Sequence, residues 1–218
     1  MVLKRFSIDW RSFTRPAPPK DTNTFPTGTV IFTGKQGSGK TYGMVSYAWE
    51  IHRKYPKSKI WTNVQIDEPW ALRWHTAQQL GEILRTQRNG PDGMLLIIDE
   101  AHLFWHRRDG IPLELLASIS QQRKQRLRIC FSSQIFEELD ISLRKQITDV
   151  VTCSRLGRTI LIESISRGDT LALDKTTYQW CGIPYKVRII HLTDEIAASY
   201  DTLQEVAGNA SYSVAPTR

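Results

Sequence analysis

Lys40 and Thr41 end the stretch Gly34-Lys35-Gln36-Gly37-Ser38-Gly39-Lys40-Thr41, which fits the phosphate-binding pattern G-x-x-x-x-G-K-[ST]. Glycines let the backbone turn where a Cβ would clash, so that successive N–H groups face one phosphate. Lys40 supplies charge for the β- and γ-phosphates, and the Thr41 hydroxyl is a hard oxygen ligand suited to Mg²⁺. Tyr42 follows directly and joins the set of residues expected around a nucleotide. Asp99 and Glu100 form a second group. Asp99 is placed to reach the Mg²⁺ shell, and Glu100 to orient and deprotonate an attacking water. Gln134, a neutral amide, is either a sensor of the γ-phosphate or an ordinary polar loop residue. The basic run Arg123-Lys124-Gln125-Arg126 has three readings: a solvated helix end, a DNA contact, or a source of an arginine acting on transferred phosphate in another subunit.

These residues need particular elements to hold them. Thr29-Val30-Ile31-Phe32-Thr33 is short, apolar and β-branched, as a buried parallel strand is, and Tyr42 to Lys54 carries a helical stripe of Val45, Tyr47, Ala48 and Ile51. The phosphate loop is therefore flanked by the strand and helix it requires. Met94 to Ile98 reads as a strand buried on both faces with Asp99 and Glu100 at its carboxyl end, where ligands bind in parallel sheets. Leu127 to Ser132 is another strand, ending just before Gln134, and Lys59 to Val64 is one more. Thr76-Ala77-Gln78-Gln79 offers a capping box ahead of a helix with Leu80, Ile83 and Leu84 on one face, closed by the turn signal 89–93. Pro112 to Gln122 is expected to be a helix with Leu113, Leu116, Ala117 and Ser120 on one side, and Leu139 to Thr148 another helix. Asp149 to Ser154, Ile160 to Ile165, Thr170 to Leu173 and Tyr185 to His191 read as strands, the first two joined by a hairpin at Leu156-Gly157-Arg158-Thr159. Thr193 to Val206 reads as a short helix before a polar tail.

Composition bounds the rest. A chain of 218 residues is long enough for one domain with extensions. The net charge of +7 suits a polyanionic partner. No apolar run approaches the roughly 18–20 residues that span a bilayer, and the first ten residues do not resemble a signal peptide, so a cytoplasmic chain is expected. Cys130, Cys153 and Cys181 are too widely spaced for a metal motif. His102 and His106 lack further ligands for a metal site, and His102 is expected near the nucleotide end of the sheet. Residues 1–24, with Phe6, Trp10, Phe13, basic residues and three prolines, read as an arm that docks on protein; 25–192 as the main domain; 193–218 as a C-terminal helix and tail.

Together these parts resemble the RecA-like branch of phosphate-loop ATPases: an α/β fold with a mostly parallel central sheet, flanking helices and extra antiparallel edge strands. The basic pair Arg123-Lys124 ahead of a strand followed by Gln134 is similar to the FtsK–HerA superfamily of DNA pumps. GSGKT, Trp61-Thr62-Asn63, LLIIDEAH and Tyr200-Asp201-Thr202 resemble the zonula occludens toxin-like morphogenesis proteins of filamentous phages, and viral packaging ATPases belong to the same superfamily. The resemblance covers about residues 27–200. It implies ATP and Mg²⁺ as cofactors, Gln134 as sensor, Arg123 as a finger acting in trans, a ring such as a hexamer, DNA gripped by its backbone, and a capsid, portal or membrane assembly partner. The filamentous-phage proteins carry a membrane segment after this domain. The expectation here is either a soluble cytoplasmic packaging motor or a chain from which the membrane part has been cut. Rival readings are a helicase, since Asp99-Glu100-Ala101-His102 spells DEAH, and a slow nucleotide switch or assembly scaffold.

Overall fold

Strands without a polar face must be covered on both sides, and that requirement organises this molecule. The computed structural model describes residues 5–9, 24–86, 91–105, 111, 113–134, 136, 139–174 and 179–200. The phosphate loop joins β2 (Gly28–Thr33) to α1 (Lys40–Lys54). The acidic pair follows β5 (Met94–Ile98), and Gln134 follows β6 (Leu127–Ser132). In the sheet β6 lies between β2 and β5, so one strand separates the phosphate loop from the acidic pair. Beyond β5 come β3 (Lys59–Thr62) and β4 (Ala71–Arg73). On the other side of β2 lies β7 (Ile147–Leu156), then β8 (Ile160–Arg167), β11 (Pro184–His191) and β1 (Arg5–Asp9). Pairing is parallel from β7 through β2 to β4 and antiparallel from β7 outward to β1.

Side chains of β2 alternate between two cores. Val30 and Phe32 meet Met44, Val45, Ala48 and Ile51 of α1. Ile31 faces the opposite side with Leu96, Ile98, Ile129 and Phe131, covered by α2 (Ala77–Thr86) through Leu80, Ile83 and Leu84 and by α3 (Leu113–Ser120) through Ile119. The capping box forms as expected. Gln79 N donates to Thr76 Oγ1 at 3.2 Å and Thr76 N to Gln79 Oε1 at 3.3 Å, satisfying two donors of the first turn of α2.

The structure differs from several sequence expectations. The segment Leu139–Thr148 is helical only over α4 (Ile141–Arg144), where Asp140 Oδ1 accepts from Ser142 N and Leu143 N. From Ile147 the β-branched chain joins β2 instead, because a place beside that strand buries Ile147 and Val150. Among the described side chains of α3, Ser118 and Ile119 are buried and Leu116 is half-buried, while Ala117 and Ser120, expected on the covered side, face solvent. Gly168–Thr170 is a 3-10 turn, and β9 (Ala172–Asp174) pairs with β10 (Gln179–Cys181) in a separate two-stranded sheet. Within the expected arm, Arg5–Asp9 adds to the edge of its own sheet against β11, since an open edge offers its N–H and C=O groups to any extended segment. Trp10, Phe13 and the arm prolines, His106 and the tail from residue 201 lie outside the described residues, as do the side chains of Phe6 and Cys181.

Candidate functional site

The loop after β2 needs left-handed backbone. Gly34 has φ 141°, and a Cβ there would lie 2.6 Å from both the Cys153 carbonyl oxygen and Ser38 Oγ. Gly39, at φ 92°, leads into α1, and a Cβ on it would lie 2.9 Å from Leu161 Cδ1. The Lys40 side chain, on a residue only 6% exposed, folds into the loop and donates to the carbonyls of Gly34 and Lys35, both at 3.2 Å. Ser38 Oγ is buried without a hydrogen-bond partner among the described residues. An unsatisfied hydroxyl and an ammonium held only by loop carbonyls are what a phosphate would complete. Lys35, Gln36 and Gly37 are exposed along the loop.

Thr41 Oγ1 donates to Asp99 Oδ2 at 2.9 Å, which joins the phosphate loop to the end of β5. Two hard oxygens at that separation, with no cluster of three or more His, Cys, Asp or Glu among the described residues, fit Mg²⁺ held partly by phosphate and water. Asp99 is set from both neighbouring strands. Asn63, just past β3, accepts from Asp99 N at 2.7 Å and donates to Asp99 O at 3.0 Å. Ser132, ending β6, donates to Asp99 Oδ1, and its Oγ accepts from Glu100 N at 2.9 Å. Burial pushes the Asp99 carboxyl above its ordinary value, opposed by the hydrogen bonds from Ser132 and Thr41. Sequence reasoning gave Asn63 and Ser132 no site role. The readable signal was a polar residue closing each apolar strand beside β5.

Glu100 leaves β5 at φ 51°, a left-handed conformation that costs a non-glycine residue on the order of 1 kcal/mol. That turn aims its carboxylate back over the strand ends. Gln134 Nε2 donates to Glu100 Oε1 at 2.9 Å, and His102 Nδ1 lies 3.3 Å from Glu100 Oε2. Lys40, Thr41, Asp99, Glu100 and Gln134 thus converge on one cleft of about 620 Å³. Tyr42 lines it too, but its hydroxyl accepts from Thr193 N at 2.9 Å and its ring meets Tyr200 edge-on, so it braces the wall. Arg123 is not brought to this cleft. It is exposed in the turn before β6, with roughly 17 Å of strand between it and the Gln134 end. Cys130 and Cys153 are buried; burial pushes the Cys130 thiol up to about 12.

Comparison with known proteins supplies the family. The sequence model of the family described as zonular occludens toxin (Zot) matches residues 28–184. Among solved structures, the N-terminal domain of zonular occludens toxin from Neisseria meningitidis is 20% identical with a TM-score of 0.58, covering 80% of this chain and 98% of that one. The genome packaging NTPase B204 of Sulfolobus turreted icosahedral virus 2, solved with ATP-gammaS, is 12% identical with a TM-score of 0.51, covering 75% and 98%. None of the curated proteins compared with the chain matches it. The fold is therefore that of the RecA-like phosphate-loop NTPases, a mostly parallel sheet with helices and an antiparallel extension.

Proposed function

The chain belongs to the zonular occludens toxin family, and on that premise we propose that it is a Mg²⁺-dependent ATPase that moves DNA during virus or phage assembly. One observation carries this reading: the line Thr41, Asp99, Glu100 and Gln134 at the carboxyl ends of adjacent strands. Lys40 exchanges its two loop carbonyls for β- and γ-phosphate oxygens. Thr41 and Asp99 would hold Mg²⁺, which would supply positive charge against the phosphates. Gln134 and Glu100 orient the attacking water, and a Glu100 carboxylate oxygen accepts its proton. Asn63 and Ser132 keep Asp99 and the Glu100 peptide in place for this step.

The separation of Arg123 from its own cleft supports a role in trans, in which a neighbouring copy's nucleotide receives it. That arrangement requires a ring, for which six subunits is our reading. The net charge of +7 supports a sequence-independent grip on phosphate backbone, and the viral relative in the comparison is described as a genome packaging NTPase. No helix among the described residues is long and apolar enough to cross a membrane. A second reading, a slow nucleotide-bound assembly scaffold, is favoured by the contacts that Gln134 and His102 make with Glu100.

The test is the ATPase rate with Mg²⁺, with and without double-stranded DNA, as a function of protein concentration and salt. A motor gives strong DNA stimulation that rises steeply with protein concentration and fades at high salt. A slow rate indifferent to DNA and concentration selects the scaffold. Arg123→Ala mixed with Lys40→Ala is expected to recover shared sites; no recovery refutes action in trans.

A further inference from the structure

The cleft extends beyond the groups used so far. β6 and β5, with Gln134, Asp99 and Glu100, lie on one side of β2, and the β7–β8 hairpin lies on the other. A triphosphate whose γ end meets Glu100 and Gln134 must therefore leave the phosphate loop toward the hairpin. There the cleft has a second wall, with Arg155, Arg158 and Thr159 from the hairpin and Leu192, Thr193 and Asp194 from the turn after β11. The two parts are tied together. Leu192 N donates to the Thr159 carbonyl at 2.8 Å, and Thr193 N to Tyr42 Oη at 2.9 Å, which fixes the turn to the first turn of α1. Arg155 is folded back, its Nη2 donating to the Arg158 carbonyl at 3.0 Å, and its Cγ would lie 3.7 Å from a Cβ on Gly39. The wall thus abuts the phosphate loop directly.

Resting on the nucleotide-hydrolysis reading above, we propose that this wall is a nucleoside slot, in which the guanidinium plane of Arg158 covers the base and the Asp194 carboxylate accepts from the ribose hydroxyls. A planar, weakly hydrated cation stacks on an aromatic face, and a lysine ammonium offers no such plane. Leu192 supplies apolar surface beside it. The slot lies on the nucleoside side of the loop, so it adds affinity for a nucleotide and little for bare polyphosphate.

The test is calorimetric titration of the full chain with ATP, GTP and inorganic tripolyphosphate, each with Mg²⁺. Wild type is expected to bind both purine nucleotides at least about tenfold more tightly than tripolyphosphate. Arg158→Ala and Arg158→Lys should each weaken ATP about tenfold and tripolyphosphate less than about twofold, with an unchanged melting temperature because Arg158 is exposed at the hairpin turn. Asp194→Asn should abolish any preference for ATP over its 2′,3′-dideoxy form. Equal losses for ATP and tripolyphosphate, or full affinity in Arg158→Lys, overturn the stacking role. A wild type that binds tripolyphosphate as tightly as ATP overturns the slot and leaves the phosphate site standing. A wild type that binds neither overturns the nucleotide reading itself.

Discussion

The parallel and antiparallel halves of the sheet solve different problems. In the parallel half, β5 is buried along its whole length and β2 and β6 nearly so, and each chemical group stands just past a carboxyl end. In the antiparallel half, β8 alternates between half-buried and buried over most of its length while β11 is mostly half-buried, and the notable polar group is inside the strands: Glu163, 0% exposed, receives Arg188 Nε at 2.7 Å. Burial alone would lower the affinity of Arg188 for its proton, but Glu163 and Glu50 beside it hold its pKa above the ordinary value. Gly43 in α1 is bare because a Cβ there would lie 2.5 Å from Glu163 Oε1. One half thus carries the proposed catalytic groups at strand ends, and the other buries an ion pair, Glu163 with Arg188, beneath α1.

Ordered from the largest effect to the smallest, several experiments would break or sharpen that contrast. Lys40→Ala should remove nucleotide binding, and Glu100→Gln should keep it while slowing turnover about 10²–10⁴-fold, read by titration and steady-state hydrolysis. A Glu100→Gln enzyme with full turnover refutes the assignment of the base. Truncating Arg188 to Ala leaves Glu163 buried and unpaired and should cost about 3–5 kcal/mol in a denaturant titration. If it instead lowered turnover at unchanged stability, the antiparallel half would belong to the chemistry. Gln134→Ala should slow turnover by about ten- to a hundredfold with little change in nucleotide affinity, since its observed contact is with Glu100 and its proposed role is to orient the water.

The raised pKa of Asp99 has a sign that can be measured. A carboxyl whose pKa is higher folded than unfolded binds its proton more tightly in the native state, so its contribution to stability falls as pH rises from the ordinary value of 3.8 through the raised one. Asp99→Asn should therefore raise the melting temperature of the ligand-free protein at neutral pH while removing Mg²⁺-dependent nucleotide binding. A lower melting temperature would show that its hydrogen bonds outweigh desolvation. The smallest effect belongs to neither half: Thr76→Ala should cost about 1 kcal/mol by removing the cap of α2, without altering hydrolysis.

What the sequence determined by itself was the set of groups whose meaning is local. The phosphate loop, the buried strand before Asp99 and Glu100, the strand before Gln134 and the Thr76 cap each depend on spacing within a few residues, and each stands where its spacing placed it. Tertiary structure decided whatever depends on which strands become neighbours. Asn63 and Ser132 reach Asp99 only because β3 and β6 flank β5, with 36 and 33 residues of separation along the chain. Ile147 became strand because β2 had an open side to bury it, and Arg5–Asp9 became strand because β11 had an open edge. Hydrogen bonding between strands is blind to sequence distance, and burial rewards whichever pairing covers the most apolar surface. The second wall of the cleft, drawn from β7, β8 and the turn after β11, is a product of that packing and of no motif.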